Sequence, residues 1–588
     1  MANAKRFTTE PNVNEKQIFI AENRYLKVNA KGDICENVAD MFIRVAKYLA
    51  SVENMYKTPK KEIHRLEDEF YEMQANFEFI AGIPLNDRDR KKMMADCYVL
   101  PLEDSLSSIY KTLYQSVQLH RLGAGVGYDF TVLRPDGSRI HSTGKEASGP
   151  ISFMRLFDFS SEIILNRGST RHAGHMGILR IDHPDIEEFI RAKEDYTQLT
   201  NFNISVAITD SFMRAYYDNK SIKLKHPRDG VTTKTISART LLKDIASSAH
   251  KSAEPGVIFI DEINKQNTLK QVGRITATNL CGEQPLLPYE SCNLGSLNLS
   301  KFIKKSNSKS LDNRINWKKL DRVTRLAVRF LDNTIDLSYY VLEESRNIVT
   351  KKNRKIGLGL MGWADLLVKL DIAYNSESAR KLATKIIRFV RKVGRDESSN
   401  LGKIKGSFQN FKKSVFPSLG YKNMRNATIT TLAPNGTISL FADCNGGIEP
   451  FFALAYIRQN METLGDKVMV YMNKLLEERL KDEWLYSKEL MNKIAKTGSI
   501  QDMNEIPKAI RQSFKTALDI EPLDHLKMQA TFQKYTDNAV SKTINMPEES
   551  TIKDIENIYI NAYELKLKGV TIYRDKSRDK QVLDIKKN

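Results

Sequence analysis

The chain has 588 residues, is 41% apolar and 28% charged, and contains only five cysteines. This composition predicts a large folded core in a reducing, cytoplasmic compartment and excludes a small secreted fold held by disulfides. No apolar run approaches the roughly 18 residues of a membrane span, and the first residues lack a secretory signal. The formal charge of +19 is dispersed, so it favours a solvated surface and a phosphate-bearing small substrate over nucleic acid.

Residues 1–95 are predicted to be mainly helical. Between residues 38 and 49 apolar side chains recur at helical spacing and leave a polar opposite face, at Val38, Met41, Phe42, Val45 and Leu49. The character changes near residue 96, where short strand-like runs begin to alternate with helical stretches. We therefore expect a helical N-terminal region followed by a second structural unit over residues 96–588.

Strand and helix patterns alternate through this second unit. Three segments are predicted to be buried strands, namely 203–210, 256–261 and 426–434. Residues 317–338 have the spacing of an amphipathic helix, and residues 465–520 are charged and helical in pattern, as in an outer layer. The alternation predicts an α/β fold with largely parallel strands.

Two motifs are typical of nucleotide or phosphate binding. The run GLGLMG at 357–362 matches a dinucleotide-binding pattern, but the preceding KKNRKI is not strand-like, which disfavours a nicotinamide site. In LAPNGTIS at 432–439 the backbone N–H groups of a turn could hold a phosphate, although a simple turn explains the run equally well. No metal site is predicted, because there is no CxxC pair and His172 and His175 have no neighbouring cysteine or acidic cluster.

The residues best suited to chemistry lie in the run NLCGEQPLLPYESC, at 279–292. In extended backbone Asn279, Cys281 and Glu283 point to one side, so an amide, a thiol and a carboxylate would face one cavity. A thiol can give up a hydrogen atom or ionise to a nucleophile, and a carboxylate can act as a general base. A second thiol, Cys292, follows in the same run. The alternative is a buried structural thiol, the commoner role of a single cysteine.

This run resembles the finger loop of ribonucleotide reductase catalytic subunits, especially those of the adenosylcobalamin-dependent class II type. Further resemblances occur in order along the chain, including DCYVLPLEDSLSSIY (96–110), GAGVGYDFTVLRPDGSRI (123–140), TLAPNGTISL (431–440) and GVTIYRDKSR (569–578). The resemblance implies a ten-stranded α/β barrel with a central finger loop around residue 281, preceded by the N-terminal helical region, in which no ATP-cone pattern is visible. It also implies a homodimeric oxidoreductase that converts ribonucleotides, in our interpretation diphosphates, to 2′-deoxyribonucleotides.

The resemblance assigns roles to the reactive residues. Cys281 would be the thiyl radical that takes the 3′-hydrogen of the substrate, Glu283 would accept the 3′-hydroxyl proton, and Asn279 would bind the sugar hydroxyls. Cys97 and Cys292 match the pair that supplies two electrons and closes to a redox-active disulfide. Cys35 and Cys444 match no catalytic position and are expected to serve packing.

Nucleotide contacts are also implied by the resemblance. Contacts to the substrate are expected from Asp96, Asn435, Gly436, Thr437 and Ile438. An effector nucleotide, either a deoxynucleotide or ATP, would bind at Asp104, Ser105 and Arg134. The identity of the effector would be relayed to the substrate base by a specificity loop, Glu194, Asp195, Tyr196, Thr197 and Gln198.

The radical source separates two interpretations. In the one we favour, adenosylcobalamin bound in the barrel supplies the radical. A class I subunit instead receives it from a separate metal-bearing subunit through adjacent tyrosines near the C-terminus, but GVTIYRDKSR contains only Tyr573. A third interpretation, a basic nucleic-acid-binding protein on a degenerate enzyme fold, is disfavoured by the intact set of reactive residues. The run 573–588 contains no cysteine, so an external thiol or redoxin, or a dithiol on another chain, is expected to re-reduce the disulfide.

Overall fold

A computed structural model describes residues 6–86, 93–140, 142–168, 174–304, 306, 308, 310–458, 469–577 and 583–584. No helix in this part of the chain is long and apolar enough to cross a membrane. The strands are β1 Phe79–Ile80, β2 Cys97–Val99, β3 Gly125–Asp129, β4 His175–Arg180, β5 Phe202–Ile208, β6 Ser221–Lys225, β7 Thr232–Ser237, β8 Gly256–Phe259, β9 Ala277–Thr278, β10 Pro285–Leu286, β11 Ser291–Asn298, β12 Ile356–Met361, β13 Ala455–Arg458, β14 Met469–Met472, β15 Thr543–Met546, β16 Gly569–Arg574 and β17 Leu583–Asp584.

The α-helices alternate with these strands along much of the chain. They are α1 Glu15–Arg24, α2 Val38–Ala50, α3 Lys60–Ala75, α4 Gly82–Leu85, α5 Leu106–His120, α6 Gly149–Gly168, α7 Ile186–Arg191, α8 Asp210–Tyr217, α9 Ala238–Ser252, α10 Ile260–Lys265, α11 Leu311–Arg314, α12 Trp317–Leu337, α13 Glu343–Asn347, α14 Trp363–Lys369, α15 Glu377–Lys405, α16 Gly436–Phe441, α17 Lys474–Asp482, α18 Lys488–Thr497, α19 Lys508–Ser513, α20 Pro522–Gln533 and α21 Ile552–Glu564.

The N-terminal region is helical, as its pattern predicts. Asn14 and Asn37 cap α1 and α2, because each side chain accepts a hydrogen bond from a backbone N–H of the first turn. The apolar face of α2 is buried. Just beyond α2, the fully buried Glu53 pairs with Arg329 of α12 at 2.8 Å and with Lys405 of α15 at 2.9 Å. These ion pairs join the N-terminal region to the helices of the barrel.

One sheet of ten strands forms the barrel wall. Strands β2, β3, β4, β5 and β8 are parallel to one another and make one half. The second half contains the parallel pairs β11–β12 and β15–β16. The halves meet in antiparallel pairings, β2 with β11 and β8 with β16, and β1 adds to the edge of β11.

An irregular segment, residues 428–432, closes the barrel between β12 and the residues before β15. On one side the N–H of Leu358 in β12 donates to the carbonyl of Ile429 at 2.7 Å. On the other side the N–H of Leu432 donates to the carbonyl of Ala539 at 3.1 Å. We call this closure the seam of the barrel.

The prediction of a regular buried strand over 426–434 is wrong. The segment makes only isolated bridges, at Thr430 and Leu432. The cause is Asp537, whose carboxylate accepts the backbone N–H groups of Ile429 and Thr430 at 3.1 and 3.4 Å. These two donors are engaged by a side chain, so the backbone does not form a continuous ladder.

The other predicted elements are found with one further correction. The patterns at 203–210, 256–261 and 317–338 correspond to β5, β8 and α12. The region 465–520 is not wholly helical, because its described part begins with β14, which pairs with β13, and continues as α17, α18 and α19. Residues 465–468 lie outside the described part.

The motif GLGLMG forms the buried strand β12 rather than a nucleotide-binding turn. A Cβ added at Gly357 would lie 2.5 Å from Leu294 of β11, and one at Gly359 would lie 2.6 Å from the hydroxyl of Ser296. The glycines therefore allow β11 and β12 to pack closely.

Candidate active site

A short hairpin, β9–β10, carries the run 279–284 into the barrel. Thr278 pairs with Pro285, and the tip lies between them. The hairpin contacts β3 so closely that a Cβ added at Gly127 would lie 1.7 Å from the carbonyl oxygen of Thr278. Only glycine at this position leaves room for the hairpin.

The tip of the hairpin is fixed from two sides of the barrel. The carbonyl of Glu283 accepts the N–H of Ala539 at 2.9 Å and the hydroxyl of Thr431 at 2.8 Å, both at the seam. From the opposite half, the side-chain amide of Asn203 in β5 donates to the carbonyl of Leu280 at 3.1 Å. The hairpin therefore forms the finger that the sequence predicts.

Two buried thiols face each other beneath the finger. Cys97 of β2 and Cys292 of β11 are direct register partners, and both are free thiols. Antiparallel partners have Cα atoms about 4.5–5.5 Å apart, within the range that a disulfide spans. The side-chain amide of Asn279 donates to Sγ of Cys97 at 3.1 Å, which links the finger to this pair.

Cys281 lies at the fingertip and is exposed to an internal cavity. Burial within the barrel raises the pKa of its thiol above the usual value, and the carboxylates of Glu283 and Asp96 add to this rise. The thiol therefore keeps its proton at neutral pH. This favours the role of hydrogen-atom carrier over that of ionised nucleophile, the two possibilities that the sequence left open.

Glu283 is buried beside the two thiol sites. Burial raises the pKa of its carboxyl to about 7, with a further contribution from Asp96, while a hydrogen bond from Asn279 opposes the rise. Its Oε2 atom has no hydrogen-bond partner among the described residues. A carboxyl group that titrates near neutral pH and has a free oxygen is suited to accept a proton from a substrate.

The cavity above the fingertip has a volume of about 610 Å³. Apolar side chains of several strands and loops form much of its wall, including Val257, Phe451, Val570 and Ile572. Gly282 and Gly436 also line it, and a Cβ added at either position would meet no atom within 4 Å. The backbone at both places is therefore open to a ligand.

Of the predicted substrate residues, Gly436 lines this cavity, and Asp96 lies beside Cys97. Cys97 Sγ and Asp96 Oδ1 are 3.7 Å apart. Asn435 has a left-handed backbone with φ of 61°, and its side chain is already bonded to Ser296 and to the carbonyl of Leu360. A phosphate contact from this turn would therefore come from the backbone N–H groups of residues 436–438, which begin α16 and have no acceptor within that helix.

The predicted effector residues lie outside the cavity, where α5 begins. Arg134 binds both carboxylate oxygens of Asp104 at 3.1 and 3.0 Å, and Ser105 caps α5. The sequence did not indicate Arg228, whose Nε lies 2.9 Å from the same carboxylate. Arg228 sits in an ordinary polar turn between β6 and β7, so no pattern distinguishes it from other surface cations.

The predicted specificity loop, Glu194 to Gln198, is held by hydrogen bonds within the loop and to residues outside it. Asp195 accepts hydrogen bonds from the N–H and hydroxyl of Thr197 at 2.9 and 2.7 Å. The hydroxyl of Tyr196 is shared between the carbonyls of Lys251 and Ser577, at 2.9 and 2.8 Å. The loop precedes β5, and Asn203 of β5 contacts the finger. A single strand therefore links the loop to the active site.

Among the described residues, no group of three or more His, Cys, Asp or Glu side chains could hold a metal ion. His172 lies outside the described part. His175 is buried, and its two ring nitrogens contact the hydroxyls of Ser161 and Tyr128 at 2.6 and 3.1 Å.

Family models match both regions of the chain. The model for the barrel domain of ribonucleotide reductase matches residues 95–573, and that for the all-alpha domain matches residues 14–85. This chain belongs to the ribonucleotide reductase family. It is thus an oxidoreductase, and the predicted fold class, an α/β barrel preceded by a helical region, is confirmed.

Individual relatives cover most of the chain. The vitamin B12-dependent ribonucleoside-diphosphate reductase of Mycobacterium tuberculosis (strain CDC 1551 / Oshkosh) is 40% identical over 96% of this chain and 80% of its own. The enzyme of the same name from Thermoplasma acidophilum is 42% identical over 87% of this chain and 66% of its own. The class Id ribonucleotide reductase alpha subunit of Actinobacillus ureae superimposes with a TM-score of 0.78 over 97% of this chain and 98% of its own. At 22% identity, that match shows the fold alone.

Proposed function

We propose that the chain reduces ribonucleoside diphosphates to 2′-deoxyribonucleotides and uses adenosylcobalamin to generate its thiyl radical. The observation that carries the proposal is the large cavity that opens directly onto Cys281. The names of the relatives at 40% and 42% identity agree with this cofactor and with diphosphate substrates. They do not favour the class I alternative.

The cavity offers both apolar wall and open backbone to a large cofactor. Val257, Phe451 and Val570 offer apolar surface, and the open backbone at Gly282 and Gly436 permits close approach. When bound, adenosylcobalamin supplies a carbon-centred radical that can remove the thiol hydrogen atom of Cys281. The protein contributes position and the exclusion of water.

Five residues carry out the reduction. The thiyl radical of Cys281 takes the 3′-hydrogen of the ribose, Glu283 accepts the 3′-hydroxyl proton, and the amide of Asn279 holds the sugar hydroxyls. The 2′-hydroxyl leaves as water. Cys97 and Cys292 supply two electrons and two protons and become a disulfide, and Cys281 returns its hydrogen atom to C3′ of the sugar and becomes a thiyl radical again. This assignment is supported by the link from Asn279 to Cys97 and by the pKa of Glu283 near 7.

The substrate and its reductant approach from the cavity. We assign the substrate phosphates to the backbone N–H groups of Gly436, Thr437 and Ile438, with Asp96 near the sugar. An external thiol or redoxin re-reduces the disulfide. A cytoplasmic location agrees with this chemistry, since all five cysteines are free thiols.

An effector-binding homodimer forms the second part of the proposal. Leu106, Tyr110 and Tyr114 recur every four residues on α5, and each is more than half exposed, as are Phe159 and Ile163 on the adjacent α6. Such an apolar face on two helices suits a second copy of the chain. A deoxynucleotide or ATP effector would bind beside it at Asp104, Ser105 and Arg134, and Glu194 to Gln198 would relay its identity. A monomer in sedimentation analysis with effector present would contradict this part.

The cofactor is tested with the purified chain alone, a ribonucleoside diphosphate and dithiothreitol. We expect deoxynucleotide only when adenosylcobalamin is added, and a change in cofactor absorbance on binding. The Cys281→Ser variant should bind the cofactor and form no product. Cobalamin-independent turnover that requires a second, metal-bearing protein would establish the class I alternative instead.

A further inference from the structure

Three side chains of neighbouring strands form a row on one face of the barrel wall. Cys97 of β2 is the register partner of Cys292 in β11. On the other side, the parallel register of β11 and β12 pairs Asn293 with Ile356, so the preceding residue, Lys355, lies beside Cys292. Lateral neighbours in a sheet share a face. The buried cation Lys355 is therefore next to Cys292, whereas Cys97 lies one strand further away.

Lys355 is held in place by a buried carboxylate. Its Nζ lies 2.6 Å from Oε2 of Glu290, and both side chains are 2% exposed. Glu290 lies immediately before β11, two residues before Cys292. The other oxygen of Glu290 accepts the amide of Asn353 at 2.6 Å, and Oε2 also accepts the N–H of Leu287 at 2.6 Å. Since the carboxylate makes several bonds, the ammonium group is fixed in the row.

The charged groups beside the two thiols have opposite signs. Burial raises the pKa of both. At Cys97 the carboxylates of Asp96 and Glu283 raise it further. At Cys292 the ammonium of Lys355 lowers it, and Asp96, Glu290 and Glu283 each oppose this more weakly. The two side chains also differ in access, since Cys97 is 7% exposed and Cys292 1%.

We propose that the active-site disulfide is polarised: an external dithiol attacks Sγ of Cys97, and Cys292 leaves as a thiolate next to the Lys355 ammonium. This inference rests on the proposed role of Cys97 and Cys292 as the redox pair. The attacking thiolate forms a bond to Cys97 Sγ, the Cys97–Cys292 bond breaks, and its electron pair passes to Cys292 Sγ, which then takes a proton. The second thiol of the reductant then attacks the reductant sulfur that is bonded to Cys97. This closes the disulfide of the reductant and releases Cys97 as a thiol. The reductant is oxidised to a disulfide by two electrons.

The stability of the leaving thiolate decides which of the two sulfurs is attacked in such an exchange. Of two sulfurs, the one whose thiolate is better stabilised leaves faster. A cation about 4–6 Å away changes a pKa by roughly one to three units. Lys355 acts on the reaction through Cys292 and touches no substrate, so it is a positioning residue.

The first test maps the point of attack in the wild-type chain. The enzyme is oxidised with diamide, and peptide mapping establishes whether the Cys97–Cys292 disulfide forms. Failure to form it would contradict the redox pair of the proposed function rather than the polarity. The disulfide is then exposed briefly to glutathione and quenched with N-ethylmaleimide. We expect glutathione on Cys97 and maleimide on Cys292. The reverse distribution would overturn the inference.

The second test measures the rate of disulfide reduction by dithiothreitol in variants. Lys355→Met should slow reduction about 3- to 30-fold. This range follows from a change of about one to three units in the pKa of the leaving thiol and a Brønsted coefficient of about one half for the dependence of the rate on that pKa. Lys355→Arg should keep most of the wild-type rate because it keeps the charge.

Lys319→Met is the matched control, because it also removes a cation paired with a buried carboxylate, Glu78 at 2.6 Å. It should reduce at the wild-type rate. Equal rates for wild type and Lys355→Met, or equal slowing in Lys319→Met, would overturn the role of Lys355. If Lys355→Met does not fold, the adduct map of the wild-type chain decides the polarity of the disulfide.

Discussion

At the residue scale, the fingertip separates two chemical tasks between neighbouring groups. Cys281 keeps its proton because burial and the nearby carboxylates disfavour the thiolate. Glu283, two residues on, titrates near neutral pH. The residues that we propose as hydrogen-atom carrier and proton acceptor therefore lie on one short turn, and each role can be tested separately.

Replacing Cys281 with serine should abolish turnover while the fold is retained. A hydroxyl O–H bond is too strong to exchange its hydrogen atom, so we expect kcat to fall at least about 10⁴-fold, the scale seen when a covalent catalyst is removed. Product formation and thermal unfolding are measured together. The control is Cys35→Ser, which changes an exposed thiol far along the chain from the finger and should remain active. Deoxynucleotide formation by the Cys281 variant would remove it from the mechanism.

The carboxyl of Glu283 predicts an acid limb in the pH profile. Its pKa is raised to about 7, so the base form is present above that pH and is lost as pH falls through it. We expect kcat/KM to decrease below pH 7. Glu283→Gln should lose about 10²- to 10⁴-fold in rate, the usual contribution of a general base, and should show no such limb. A wild-type profile that stays level down to pH 5 would contradict the assignment.

At the scale of the element, the position of the finger depends on one glycine in β3. A Cβ at residue 127 would overlap the carbonyl of Thr278, so Gly127→Ala should displace the hairpin. We expect kcat to fall at least about 100-fold and the free energy of unfolding to drop by about 1–3 kcal/mol. In the control Gly273→Ala, the added Cβ would meet only side-chain atoms of Leu287, the nearer at 3.1 Å. Equal activity in both variants would show that the finger tolerates displacement.

Helices α5 and α6 enclose the buried His120, which should make the stability of the protein sensitive to acid. His120 of α5 contacts Ser161 of α6 at 3.0 Å, and burial lowers the pKa of its imidazole to about 4. Between pH 6.5 and 4 the unfolded chain binds a proton that the folded chain does not, so stability decreases as pH falls through this window. The loss approaches about 3 kcal/mol at pH 4.

Urea unfolding of wild type and His120→Gln across this range measures the effect. The variant should lose less stability on acidification than the wild type. Parallel curves for the two proteins would contradict a contribution from His120.

The elements also show how far the sequence could be interpreted. Asn279, Cys281 and Glu283 are close in the chain, so local spacing alone brings them to one turn. The pairing of Cys97 with Cys292 depends on the register of two strands far apart in sequence, and only family resemblance indicated it. Asp537 accepts hydrogen bonds from the backbone of 428–432 but lies about 100 residues further along the sequence. The residues of the segment itself therefore gave no indication that it would be irregular. Lys355 is one of 91 lysines and arginines, and composition does not distinguish it.

At the scale of the whole molecule, the proposed effector site at the start of α5 would have to act on the interior of the barrel. Arg134 should be required for effector binding, because it offers a guanidinium held by Asp104 beside the proposed nucleotide site. Arg134→Ala should weaken effector binding by about 1.5–3 kcal/mol and reduce the effect of effectors on base preference, with less change in basal turnover. Calorimetry measures the affinity, and Arg139→Ala is the exposed control. Unchanged affinity would place the site elsewhere.

The seam has a consequence for how the molecule opens. Residues 428–432 join their neighbours through backbone bonds but form no continuous ladder, and Glu283 at the fingertip contributes two more bonds through its carbonyl, to Ala539 and Thr431. The turn that carries Cys281 is therefore also bonded to the seam of the barrel wall. Amide hydrogen exchange at 429–432, 539–541 and 283–284 should consequently occur in one cooperative opening, below the free energy of global unfolding. Ligands that fill the cavity should slow that exchange, so the enzyme would be most resistant to local opening while it is at work.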